Sequence, residues 1–218
     1  MRLRSLLLCL GLTIGLMPPA FAIRGVIDDP DGFTYVRAGE SQDSAIVAKV
    51  KAGEVFDFEE DDLTHLSEWS KVTLASGKKG YMHGDRIRIH ATMADLADRK
   101  PDDEANVCAR AKGLNYYSLA RDAARGKKAA MQTYFALSCV GEGEGEDRAE
   151  NIHDEICRSV IHLLGDEKLS KFLRGQSKDY LTGVREMLES TTPHPGDPHA
   201  YLKRVFPKSE RILDTAPP

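Results

Sequence analysis

The chain has 218 residues, of which 41% are hydrophobic and 29% charged, with a formal charge of -4. That balance suits one large or two small hydrophobic cores. Its sign argues against sequence-independent nucleic-acid binding, which needs basic patches to displace counterions, and against electrostatic attachment to anionic lipid.

Residues 1–22 read as a secretory leader. Arg2 and Arg4 precede a short apolar run, Ser5 to Leu16, and Ala20-Phe21-Ala22 is a small-x-small cleavage site. The apolar run is shorter than the roughly 20 residues a membrane-spanning helix needs. Cleavage after Ala22 is expected, which makes Ile23 the mature N-terminus and removes two positive charges. No later apolar segment is long enough to span a membrane, so an exported, periplasmic or secreted protein is expected.

From residue 23 to 90 the pattern is short and β-like. Gly25 to Ile27 opens it, and Asp28 to Gly32 is a Pro-Gly turn. Phe33 to Arg37, Ala45 to Val50 and Val55 to Glu60 are expected strands, separated by a polar loop and by the Lys51 to Glu54 turn. Trp69 to Ala75 and Tyr81 to His83 should form a hairpin around Ser76 to Gly80, and Asp85 to Ile89 closes the run. Short, closely spaced strands with glycine turns point to a small barrel or sandwich.

These residues resemble the bacterial SH3-like (SH3b) domain. The matching stretches are Val36-Arg37-Ala38-Gly39, Lys51-Ala52-Gly53-Glu54 with Val55, Trp69-Ser70-Lys71-Val72, Gly77 through His83, and Ile87. Glu40 stands where the family often has proline, and Tyr81 where it often has tryptophan. The resemblance covers residues 25–89 and implies an extracytoplasmic module, some of whose members bind cell-wall peptides. Where such domains bind peptides they use aromatic-lined grooves, so Tyr35, Trp69 and Tyr81 are the candidate ligand-binding residues. The competing reading makes these rings core or rim packing.

Beyond His90 the period becomes helical. Glu104 to Gly113, Ser118 to Gly126 and Lys127 to Cys139 read as helices, followed by a Gly-Glu break at Gly141 to Asp147. Arg148 to Gly165 is the best helix, with Ile152, Ile156, Val160 and Leu163 on one stripe widened by Leu164. Asp166 is placed to cap a following short helix. Asp179 to Ser190 is a further helix; Asp197 with Pro198 starts another, and Pro207 to Leu213 ends the fold. Each helix is amphipathic, which predicts a bundle or short array for residues 91–218. The expected fold class is thus α+β in two domains: an SH3-like β-barrel followed by an all-α helical domain.

Three cysteines lie beyond the leader: Cys108, Cys139 and Cys157. In an oxidising compartment one disulfide is expected, with Cys108 and Cys139 as its pair; the alternative is three small buried apolar residues. None of the three sits at a helix start, where a thiol would be activated, so Cys-His catalysis is not expected. His153 and Cys157 share a helix face but supply only half of a zinc site. His194 and His199 flank a Pro-Gly loop and are the histidines that could complete such a site. The acidic clusters at Asp28, Asp29 and Asp31 and at Glu59 to Asp62 lack calcium-loop spacing. No catalytic group, metal or cofactor is expected. The reading is a non-enzymatic envelope protein whose barrel binds a cell-wall peptide or an envelope protein. The competing reading is an envelope enzyme, or an accessory of a wall hydrolase, with its active groups in the helical domain.

Overall fold

The computed structural model describes residues 23–59, 68–98, 103–137, 146–191 and 198–215. The expected leader, the acidic residues 60–62, Cys139, most of the Gly-Glu break, His194 and the Asp197 cap lie outside them.

Seven strands form one antiparallel sheet: β1 (Ile23–Ile27), β2 (Phe33–Arg37), β3 (Ile46–Lys51), β4 (Phe56–Phe58), β5 (Trp69–Leu74), β6 (Lys79–His83) and β7 (Ile87–Ile89). Their order is β3-β2-β6-β5-β4-β1-β7. Alternate residues point to one side, and those of all seven strands meet in one cluster: Ile27, Val36, Val50, Phe56, Phe58, Val72, Met82, Ile87 and Ile89. A sheet whose two end strands feed the same core must be strongly coiled. At the tight β2–β6 crossing only glycine fits: a Cβ on Gly80 would lie 2.4 Å from the Arg37 carbonyl oxygen and 2.6 Å from Val36.

The expected closing strand is shorter than its sequence pattern. Gly84–Arg86 is a 3-10 turn that the His83 ring caps by accepting from the Asp85 amide, and only Ile87–Ile89 pairs with β1.

The helices are α1 (Glu104–Ala111), α2 (Tyr116–Ala124), α3 (Lys128–Phe135), α4 (Glu146–Leu173), α5 (Lys178–Thr191), α6 (Pro198–Val205) and α7 (Pro207–Leu213). α2 begins two residues before the expected Ser118, because Asn115 caps it by accepting from the Ser118 amide at 2.8 Å. α3 ends before the expected Cys139: the chain tightens at Ala136, and Leu137 donates back to Tyr134 while dropping into the core.

Gly165 breaks α4 with φ 68° and ψ 166°, a conformation essentially reserved for glycine. The stripe expected on this helix is rotated. Ile156, Cys157, Val160, Ile161 and Leu164 are buried, while Ile152 and Leu163 lie at its margins. α4 packs against α1 and α2 as well as α5 and α7, so it buries a wider face than one stripe. The side chain of Asp166 caps α7 instead of its own segment. It accepts from the backbone of Lys208 (2.9 Å) and Ser209 (2.8 Å) and from the Ser209 hydroxyl (2.8 Å). A second core, built on Leu96, Tyr116, Tyr117, Tyr134, Phe135, Leu169 and Leu202 among others, unites the helices.

Sheet and helices meet along β7. The His90 amide bonds Arg24 and the Asp28 amide bonds Arg86, so alternation turns the peptide groups of Ile87 and Ile89 away from β1. Side chains of α6 take both. The Ile89 amide donates to the Tyr201 hydroxyl oxygen at 3.2 Å, and Arg204 donates to the Ile87 carbonyl at 2.8 Å and to Asp28 at 2.6 Å. The Tyr201 hydroxyl lies 2.7 Å from His162 Nε2, and His162 Nδ1 lies 2.7 Å from the Arg158 carbonyl. A carbonyl only accepts, so Nδ1 carries the proton and Tyr201 donates to Nε2. Nearby, Arg24 pairs with Asp95 and donates to Thr92.

Candidate functional site

On the outer side of the coiled sheet, the register brings together side chains that are far apart in sequence. Val36, Val72 and Met82 point into the core, so their neighbours Tyr35, Arg37, Lys71, Tyr81 and His83 point outward. Tyr81 stands between Arg37 on β2 and Lys71 on β5. In the next row, Trp69 is opposite His83, with ring centroids 5.3 Å apart in an edge-to-face contact. Tyr35 lies one step along β2 from Arg37; the antiparallel β2–β6 pairing puts it on the His83 side of Tyr81. Tyr35, Trp69 and Tyr81 therefore share one face, each from a different strand. Tyr35 is 37% exposed, and the other two are half-buried.

The charges around these rings are held in place. Arg37 donates to the Ser44 carbonyl at 2.8 Å, and Lys71 lies 3.2 Å from Glu59. His83 sits between Glu68 (3.4 Å) and Asp85 (3.5 Å). With its ring against Trp69 and Nδ1 capping the 3-10 turn, His83 orients the tryptophan. The face offers ring surfaces for stacking, framed by fixed charges, which is binding chemistry.

The other candidates disperse. His153 bonds Tyr116 at 2.8 Å, whereas Cys157, a buried thiol, lies 3.5 Å from the Met187 sulfur. His199 sits between Glu189 and Glu210, 3.2 Å from each. Among the described residues no group of three or more His, Cys, Asp or Glu could hold a metal ion. Asp28 and Asp29 are paired with Arg204 and Arg86 as parts of the β1–β2 turn. Cys108 is disulfide-bonded; Cys139 lies outside the described residues.

Burial raises the Tyr116 and Tyr134 hydroxyls well above the usual tyrosine range and lowers His153 to about 4. At neutral pH this cluster is uncharged packing. Burial likewise lowers His162 to about 4, helped by Arg158 and Arg88 nearby, and pushes Tyr201 up to about 12. His162, Tyr201 and Arg204 were not marked by the sequence. Apart from the Arg158 carbonyl one turn before His162, their partners lie 39 or more residues away in sequence, and no local spacing carries that information.

No helix of the described residues is long and apolar enough to cross a membrane. No curated protein matches the chain. Residues 32–88, from the Gly32 turn into β7, match the family model of the bacterial SH3 domain.

Proposed function

We propose that the protein is an exported, non-enzymatic envelope component whose SH3 domain binds a cell-wall peptide across the face formed by Tyr35, Trp69 and Tyr81. The carrying observation is that three strands of a bacterial SH3 domain deliver these three rings to one outward face. The sequence of the leader supports export. The burial of the most strongly shifted groups, Tyr116, Tyr134, His153 and His162, inside packed clusters supports a role without catalysis. The helical region serves as the platform that holds the domain, and it contacts other proteins.

Purified full chain is incubated with isolated cell-wall sacculi and sedimented. The chain co-sediments, and replacing Tyr35, Trp69 and Tyr81 together by Ala lowers retention at least tenfold while the thermal transition persists. Retention that is equal for the variant, or no higher than for denatured protein, removes the proposal.

A further inference from the structure

The two ends of the sheet are treated differently. At β7 the outward Ile89 N–H and Ile87 C=O are taken by Tyr201 and Arg204. At β3 they are not. The Ala52 amide donates to the Gly32 carbonyl, and Thr34 stands opposite Val50 and Val36 opposite Ala48. Alternation in an antiparallel ladder then directs Val50 and Ala48 toward β2 and turns the N–H and C=O of Lys49 off the sheet edge. No hydrogen bond among the described residues reaches them, and β3 is a terminal strand.

A groove runs beside this edge. It has a volume of about 510 Å³ and lies between β3, the entry to β4 and the β5–β6 turn. Ala48, Val55, Phe56 and Leu74 supply apolar lining, and Val55 is 38% exposed. Lys49 and Lys78 border it, against a single acid, Glu54. Neither lysine has a carboxylate partner among the described residues; Lys49 only stacks over the Phe33 ring, 3.4 Å from its centroid. Lys51, two residues after Lys49, and Lys79, next to Lys78, add positive charge. None of Tyr35, Trp69 or Tyr81 lines the groove, but Lys49 is the cross-strand partner of Tyr35, so the two surfaces adjoin at that pair.

We infer that this groove is a second binding surface, which accepts an extended peptide as an added strand on β3. Peptide main chain pairs with the Lys49 N–H and C=O, as in other strand additions. Side chains of one parity rest on Val55 and Leu74. Carboxylates in the peptide meet Lys49 and Lys78, so the partner is an acidic segment with apolar residues at alternate positions. Trp69 and Tyr81 take no part in this surface, so the two proposals are tested separately.

The test is NMR titration of the full chain with a blocked pentapeptide of sequence Asp-Val-Asp-Val-Asp, beside its Lys-Val-Lys-Val-Lys counterpart. The acidic peptide is expected to shift the amides of Ala48, Lys49, Val55 and Leu74, and the basic one is not. Lys49→Glu with Lys78→Glu should weaken the acidic peptide at least tenfold. The Lys49 amide faces away from β2, so Lys49→Pro should leave the core resonances in place. It should weaken binding more than Lys49→Ala, which keeps the donor. Tyr81→Ala should leave the titration unchanged, which separates this surface from the proposed wall-binding face. The inference is overturned by no shifts at millimolar peptide, by equal response to both peptides, by shifts confined to Tyr35, Trp69 and Tyr81, or by equal effects of the Pro and Ala variants.

Discussion

His153 and His162 show how burial can dominate a residue's behaviour. Each is kept neutral, at about 4, by desolvation. The unfolded chain, with histidine near its ordinary 6.5, takes up protons at higher pH than the folded one. Their contribution to stability is therefore complete above pH 6.5 and is lost as pH falls from 6.5 toward 4. It is on the order of 3 kcal/mol for each. Urea denaturation at pH 7 and pH 4.5 should show a large drop, and His162→Gln should remove part of that slope; a midpoint that does not move with pH contradicts this. His153 was legible in the sequence as a residue sharing a helix face with Cys157, yet its chemistry was not. The spacing placed it on α4, but its partner, Tyr116, comes from another helix. His162 carried no signal at all, because an isolated histidine in an amphipathic helix looks alike whether it meets water or a tyrosine from α6.

At the scale of elements, the strands were the easier reading, since a period of two is imposed by a single coiled core. Val36, Val72 and Met82 alternate with polar or aromatic neighbours whichever way the sheet curls. Helix ends were harder, because their caps are tertiary. Asp166 follows a glycine and looks like a local cap, but its carboxylate crosses to α7 and serves Lys208 and Ser209. Removing it leaves two amides of α7 without their acceptor. Asp166→Ala is expected to cost about 1–2 kcal/mol, with faster hydrogen exchange at Ser209, and Asp166→Asn should recover most of it. If Ala and Asn variants melt alike, the cap contributes nothing. The aromatic face belongs to this scale too. Its three rings could be named from motifs, but their placement on one side needed the register, in which Tyr81 falls between Arg37 and Lys71.

Across the whole molecule, sheet and helices keep separate cores but share the β7 junction. Tyr201 is central there: one hydroxyl accepts from the Ile89 amide and donates to His162. Tyr201→Phe keeps the ring and strands both partners, at about 1–3 kcal/mol for each unsatisfied buried group. Denaturant titration should register this loss. Hydrogen exchange should quicken at Ile89 more than at His90, whose amide is held by Arg24 within the sheet; equal exchange at the two would argue against the latch. The capped edge also fixes a stoichiometry. A sheet open at both ends can pass strands from copy to copy without limit, which is the geometry of fibres. Among the described residues this one has a closed end and an open end. Whatever adds to β3 cannot be propagated through β7, so strand addition saturates at one guest per chain, and any pairing of copies through their open edges stops at two.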